Sequence, residues 1–495
     1  MVTHLLEYFH AAAARVPEKT AFTDGEQALT FARCEACALA LGRKLFQLGC
    51  AGKPVGILMD RTPAQPAAFL GVWEGGGFYV PLDREMPRQR LLQILQTAAP
   101  VCLVCDRANE ALARELFSSG EILLWEEVSR GPALRDFSVE RLDTDPAYIV
   151  FTSGSTGMPK GVCACHRSVI DYAEHFLSAV GMGEDAVLGC QSPLYFDAFL
   201  KEFLSALVLG ATVVLIPRAL FVQPVKLVEF LNEHRVNTLC WVASALSLVS
   251  SLGTFKAVRP RYLKLVCFGS EVFPPRQLGR WREACPGARF FNLYGPTECT
   301  GMSCFYPVTG AEQGPVPIGR PFANTRVFLL DETGRESREG EIYIAGTCVT
   351  LGYYNDPERT AAAFVQNPLQ HSYPEQVYRT GDLARYDERG DLVFLGRKDQ
   401  QIKHMGHRIE LGEIEAAAGA LPGVDQCVCL YAERTGRICL AYTGDRQGPA
   451  LMEALAGILP GYMLPNTLIP LAEMPLTPNG KADRRRLGEL YGERN

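Results

Sequence analysis

No apolar run in this chain reaches the ~18 consecutive residues that a membrane-spanning helix needs. The N-terminus (Met1-Val2-Thr3-His4) lacks a basic region followed by an apolar core and a cleavage site, so no secretory leader is read from it. Basic tails and basic faces are missing as well. A net charge of −6 over 495 residues argues against a general nucleic-acid binder. There is no internal repeat, no low-complexity segment and no long Pro/Gly linker. The expectation is a cytoplasmic globular protein, monomeric, with neither a membrane nor a nucleic-acid partner.

What is present fits that class. Hydrophobic residues make up 47% of the chain and charged residues 21%, ordinary proportions for a globular protein. The length exceeds one core, so two or more domains are expected. The seventeen cysteines are scattered along the chain. Two Cys-x-x-Cys pairs, Cys34/Cys37 and Cys102/Cys105, could together supply four zinc ligands. The first pair falls on a helix-like Ala/Leu-rich segment. The second lies in a strand-like run where alternate residues face opposite ways. Reduced, buried thiols acting as small apolar residues are the better reading.

Helical patterns alternate with short Val/Ile/Leu runs at 54–59, 101–105, 148–151, 212–216, 238–242 and 263–268. That alternation predicts α/β layers with largely parallel strands. Between Arg326 and Leu351 short strands broken by Asp331-Glu332-Thr333-Gly334 and Glu339-Gly340 predict a small antiparallel or barrel-like piece. A second change of texture follows Gly396-Arg397-Lys398-Asp399. Beyond it, helices near 411–421 and 451–459 and strands near 426–431 and 438–442 suggest a compact α+β segment. The predicted domains are therefore 1–398 and 399–495, joined by a polar hinge.

The most informative stretch is Phe151-Thr152-Ser153-Gly154-Ser155-Thr156-Gly157-Met158-Pro159-Lys160-Gly161, directly after an apolar strand. It packs four hydroxyls, three glycines and a lysine into eleven residues. Glycines allow close backbone approach, and free N–H groups, hydroxyls and a lysine suit anionic oxygens. It is not a Walker loop, whose Gly-to-Gly-Lys spacing differs. A flexible surface turn is the plain alternative.

Further motifs follow in order: Gly75-Gly76-Gly77-Phe78-Tyr79-Val80-Pro81-Leu82-Asp83 precedes that loop, and Tyr294-Gly295-Pro296-Thr297-Glu298 and Tyr378-Arg379-Thr380-Gly381-Asp382 come after it. Then come Gly396-Arg397-Lys398-Asp399-Gln400, Gly406-His407-Arg408-Ile409-Glu410-Leu411-Gly412-Glu413-Ile414-Glu415 and Pro478-Asn479-Gly480-Lys481. With these, the chain resembles the adenylate-forming superfamily over nearly its whole length. Within it, the likeness is to amino-acid adenylation domains of nonribosomal peptide synthetases and to D-alanine–carrier protein ligases.

The resemblance implies a large N-terminal domain of layered α/β subdomains with a small β subdomain, and a small mobile α+β C-terminal domain. It implies ATP and Mg2+ as cofactors, and an amino acid joined to AMP with release of pyrophosphate. Joining two anions calls for charge neutralisation and orientation more than proton transfer. By the same resemblance Thr152, Ser153, Gly154, Ser155, Thr156, Gly157 and Lys160 hold the departing phosphates. Tyr294 faces adenine, Thr297 bonds the phosphate region and Glu298 binds magnesium. Asp382 accepts from the ribose hydroxyls, and Arg397 lies by the ribose and phosphate. Gly269, Ser270, Glu271, Asn292 and Gly295 complete the nucleotide site. Lys481 bridges the substrate carboxylate and α-phosphate. Taken singly, each has a plain reading: Asp382 a turn residue, Glu298 a carboxylate at a helix N-terminus, Lys481 a solvated charge. His166, after the loop, is read as structural.

Asp197 in Tyr195-Phe196-Asp197-Ala198-Phe199-Leu200-Lys201-Glu202 matches the aspartate that pairs with a substrate α-ammonium, with Phe199 where the family has serine. A helix N-cap is its plain reading. The pocket positions carried over are Asp197, Ala198, Lys201, Cys240, Gly269, Leu293, Gly301 and Met302. Ser270 stands where glycine is commoner. Lys201 is costly to bury without an anionic or strongly accepting partner. One reading has it meet a polar or acidic substrate side chain. The other has it pair with Glu202 or another carboxylate, or reach outward.

The Gly406–Glu415 segment resembles the face presented to an incoming thiol after the small domain rotates; His404-Met405-Gly406 departs from the family's Ile-Arg-Gly. No phosphopantetheine-serine signature and no His-His-x-x-x-Asp-Gly motif is found, so the expected acceptor is a phosphopantetheinylated carrier protein in trans, unless the chain is a domain excised from a larger synthetase. The alternative is an acyl- or aryl-CoA ligase.

Overall fold

In the computed structural model, residues 2–154, 158–312, 314–432, 435–476 and 482–492 are described. Ser155, Thr156, Gly157 and Lys481, all expected in the site, lie outside the described residues.

The chain forms two compact units. The first comprises Met1–Asp83, Ala98–Val150 and Gly161–Lys398, and the second Arg84–Thr97, Phe151–Lys160 and Asp399–Asn495. The first is built on a nine-stranded sheet in which Arg289–Tyr294, Leu265–Gly269, Thr238–Val242, Val187–Cys190, Thr212–Leu215 and Thr20–Thr23 lie side by side and parallel. A six-stranded sheet runs Glu121–Leu124, Cys102–Cys105, Pro54–Leu58, Phe78–Leu82, Pro146–Thr152 and Lys160–Cys165. Its strands Pro54–Leu58, Phe78–Leu82 and Cys102–Cys105 are buried at every residue. Parallel strands covered on both faces read as unbroken apolar runs, which is why the short Val/Ile/Leu patterns locate them.

The predicted small β piece is a five-stranded antiparallel sheet containing Thr325–Leu330, Glu339–Gly346 and Gln376–Tyr386. In the second unit, Gln426–Ala432 and Arg437–Thr443 pair antiparallel beside the helices Leu411–Gly419 and Gly448–Ala456.

All seventeen cysteines are free thiols, and all but the half-buried Cys427 are buried. Cys34 and Cys37 sit on the helix Phe31–Gln47, Cys102 and Cys105 on a strand. Among the described residues no cluster of His, Cys, Asp or Glu is arranged to hold a metal. The buried-thiol reading holds. His166 is 2% exposed, stacks on His4 at 3.7 Å and is pushed down to about 3 by burial. It is a neutral core ring. No described helix is long and apolar enough to cross a membrane.

Candidate active site

Parallel strands leave their carboxyl ends open at one edge, where α/β folds place ligands. Three adjacent strands end there at Val242, Gly269 and Tyr294. Against those ends pack the turn Asp197–Phe199 and the helix Leu200–Leu209. They border a narrow pocket lined by Ser192, Ala198, Lys201, Cys240, Trp241, Val242, Cys267, Phe268, Gly269, Ser270, Leu293 and Met302. Six of the eight carried-over pocket positions line this one space; Asp197 and Gly301 are the two that do not.

Local geometry explains two of the lining residues. A Cβ on Gly269 would stand 2.4 Å from the Leu293 carbonyl oxygen, so only glycine fits. Ser270 takes φ 67°, the left-handed region that glycine tolerates at no steric cost. That accounts for the commoner glycine at this position.

Asp197 opens its turn without capping it through its side chain. Burial pushes its carboxyl up, while the Thr297 hydroxyl and the Lys201 cation pull it back and Glu298 pushes it up again. Asp197, Lys201, Thr297 and Glu298 therefore share one electrostatic neighbourhood. Lys201 is 5% exposed, and its ammonium has neither a hydrogen bond nor an ion pair within 4 Å among the described residues. Lys201 forms no hydrogen-bonded pair with Glu202, since neither Glu202 carboxylate oxygen has a hydrogen-bond partner among the described residues, but the two charges still act on each other.

Tyr294, Asp382 and Arg397 of the first unit, expected at the nucleotide site, form a second, tightly bonded group. Tyr294 donates its hydroxyl to Asp382 at 2.5 Å, and Arg397 pairs with the other Asp382 oxygen. The Asp382 backbone N–H donates to Thr380 Oγ1 at 3.0 Å, and Arg397 also reaches the Thr380 carbonyl at 3.1 Å. Asp382 is 2% exposed. Glu298 is fully buried, and the Tyr353 hydroxyl donates to its Oε1 at 2.7 Å. Asn292 donates to the Pro317 carbonyl at 2.8 Å, and Glu271 accepts from the Ser244 N–H at the start of the helix Ala243–Ser251.

With this geometry in view, comparison with known proteins is direct. Residues 9–354 match the family model described as AMP-binding enzyme. The chain belongs to this family. It is 34% identical to an L-proline–[L-prolyl-carrier protein] ligase of Streptomyces coelicolor, over 94% of this chain and 92% of that protein. It is 33% identical to tyrocidine synthase 3 of Brevibacillus parabrevis, over 99% of this chain but only 8% of that protein. It likewise spans 6% of a linear gramicidin synthase polypeptide from the same organism, at 36% identity. A nonribosomal peptide synthetase protein containing adenylation and PCP domains, solved bound to a vinylsulfonamide inhibitor, superposes with a TM-score of 0.83 at 27% identity. That alignment covers 99% of this chain and 84% of the other.

In the second unit of this AMP-binding enzyme the glycine-rich loop meets the Gly406–Glu415 segment. Ser153 donates to the Arg408 carbonyl at 2.7 Å, the Gly154 N–H donates to Glu413 Oε2 at 3.0 Å, and Lys160 lies 3.6 Å from Glu410. Arg90, on the helix Arg88–Ala98, closes an ion pair with Glu413, and both side chains are nearly fully buried. Burial pushes the Glu413 carboxyl up, and Arg90 opposes the shift. Among the described residues the buried Thr152 hydroxyl has no hydrogen-bond partner, and an anionic oxygen would satisfy it.

Sequence reasoning missed Arg90, whose segment carries no recognisable signature, and gave Glu413 no role although it lies inside a quoted motif. It also missed Ser192, Trp241, Val242, Cys267 and Phe268. For these the available signal was position: four of them lie at the carboxyl ends of strands that the apolar runs had already located.

Proposed function

We propose that this chain activates an amino acid with ATP, forming an aminoacyl adenylate and pyrophosphate, and then passes the aminoacyl group to the phosphopantetheine thiol of a separate carrier protein. The observation that carries this reading is the Asp197 carboxylate, held beside a lined pocket in one neighbourhood with Thr297 and Glu298. A dehydrated carboxylate is the natural partner of an α-ammonium group, and simple acids have no use for it. The named carrier-protein ligase and the adenylation–PCP structure support the same chemistry.

In this reading Asp382, Tyr294 and Arg397 hold the nucleoside, and the glycine-rich loop holds the phosphates through its N–H groups, the Thr152 hydroxyl and Lys160. Glu298 is the residue to hold Mg2+. A single carboxylate fits that ion, which keeps several waters and takes its other ligands from phosphates. Bound there, the ion would offset phosphate charge. Lys481 would bridge the two reacting groups, carried by a mobile domain at 399–495 that later turns its 406–415 face toward the thiol. Lys201, buried and without a hydrogen-bond or ion-pair partner among the described residues, favours an amino acid with a polar or acidic side chain. Seventeen free thiols suit a reducing, cytoplasmic setting and a monomeric enzyme is the simplest form.

The test is amino-acid-dependent ATP–pyrophosphate exchange. Lys481→Ala should abolish exchange while the protein still folds. Exchange that persists at the wild-type rate in this variant would overturn the assignment of Lys481.

A further inference from the structure

Lys201 and Glu202 are neighbours at the start of the helix Leu200–Leu209, and among the described residues the charged end of each side chain has no hydrogen-bond partner. Lys201 lines the pocket. Glu202 is fully buried, next to it in chain and in charge. The groups that face Glu202 come from four other elements. Arg61 approaches with its guanidinium already donating to the Cys190 and Ile216 carbonyls at 2.8 Å each. The Cys190 and Cys240 thiols, on neighbouring strands, and the Tyr172 phenol are the others. The buried Tyr172 hydroxyl itself has no hydrogen-bond partner among the described residues.

We propose that Glu202 is the titratable counter-charge of Lys201, and that its protonation decides whether the pocket takes a side chain ending in a carboxylate or one ending in a carboxamide. This rests on the amino-acid-adenylation reading and narrows its substrate class.

The argument is a count of charge in a site where an unbalanced charge is costly. Asp197 is cancelled by the substrate α-ammonium. If Glu202 is ionised it cancels Lys201, and a substrate carboxylate would then add an unmatched negative charge. A neutral carboxamide adds none, and its oxygen can still accept from Lys201. If Glu202 is protonated, Lys201 is left as an unmatched cation, and a substrate carboxylate completes the balance. Burial pushes Glu202 up to about 7, opposed by the Lys201 and Arg61 cations, which places the change inside the range where the enzyme can be assayed. Glu202 need not touch substrate to act in this way. It is a positioning residue that sets what Lys201 is free to bind.

The test is the ratio of kcat/KM for glutamate over glutamine, and for aspartate over asparagine, in pyrophosphate exchange from about pH 6 to about pH 8.5. The ratio cancels pH effects common to both substrates. In wild type it should fall steadily as pH rises and Glu202 ionises, by up to roughly tenfold per pH unit. In Glu202→Gln, which keeps the neutral form, the acid-to-amide ratio should stay flat and remain high at alkaline pH. A wild-type ratio that does not move with pH, or one that moves identically in Glu202→Gln, overturns the proposal. If Glu202→Gln does not fold, the wild-type profile alone decides. Exchange with some other amino acid but none of these four also overturns it, while leaving amino-acid adenylation standing. Exchange with no amino acid at all removes the underlying reading instead.

Discussion

The group around Asp382 and the pocket beside Lys201, both in the first unit, handle buried charge in opposite ways. Asp382 has both oxygens bonded by the protein, to Tyr294 and Arg397, and its N–H bonded to Thr380. The Lys201 ammonium and the Glu202 carboxylate have no hydrogen-bond partner among the described residues. The first arrangement is complete before any ligand arrives, so its geometry is preorganised for a ligand part that is always the same. The second is incomplete, and in the proposed reading the partner of Lys201 comes with the substrate. Unpaired groups are tolerated where they select.

Four substitutions would break or sharpen that contrast. The largest effect is expected for Asp382→Ala, which leaves Arg397 beside an uncompensated site. Pyrophosphate exchange should fall roughly a hundredfold or more, and unfolding should show a loss of about 3–5 kcal/mol. An unfolding curve identical to wild type would mean the group is not the pre-built unit described. Asp197→Asn comes next, with kcat/KM for the amino acid down roughly 30- to 1,000-fold and much less change in the KM for ATP.

Lys201→Met should divide activity from stability. Exchange with polar or acidic substrates should drop about a hundredfold, while the thermal midpoint changes little, because a buried cation is replaced by an apolar chain of similar length and Glu202, losing its counter-charge, takes up a proton. A midpoint that falls as far as in Asp382→Ala would erase the distinction between the two regions. The smallest effect is assigned to Glu413→Gln in the second unit, where the carboxylate joins Arg90 to the Gly154 N–H. Carrier loading should slow roughly tenfold, with a lesser change in exchange, since the 406–415 face is proposed to serve the thiol step. Measuring both half-reactions on one preparation checks it.

The same contrast explains what the sequence made legible. The buried parallel strands announce themselves as apolar runs, and the motifs around Asp382, Glu298 and the glycine-rich loop stand out because a constant ligand demands constant residues. Pocket positions could be carried over one by one, and six of them share a cavity. The state of Lys201 could not be read. Pairing with Glu202 and holding a free cation for substrate look identical in one dimension. Only the arrangement of the first turn of Leu200–Leu209 separates them. Arg90 was invisible because its partner Glu413 lies 323 positions away, and no local pattern marks an ion pair of that separation.

The measurement that bears most directly on the whole account is ATP–pyrophosphate exchange by the wild-type protein across the standard amino acids. Exchange that depends on the amino acid and is strongest for polar or acidic side chains is the predicted result. No exchange with any amino acid, alongside thioester formation from a simple acyl or aryl acid and coenzyme A, would contradict it.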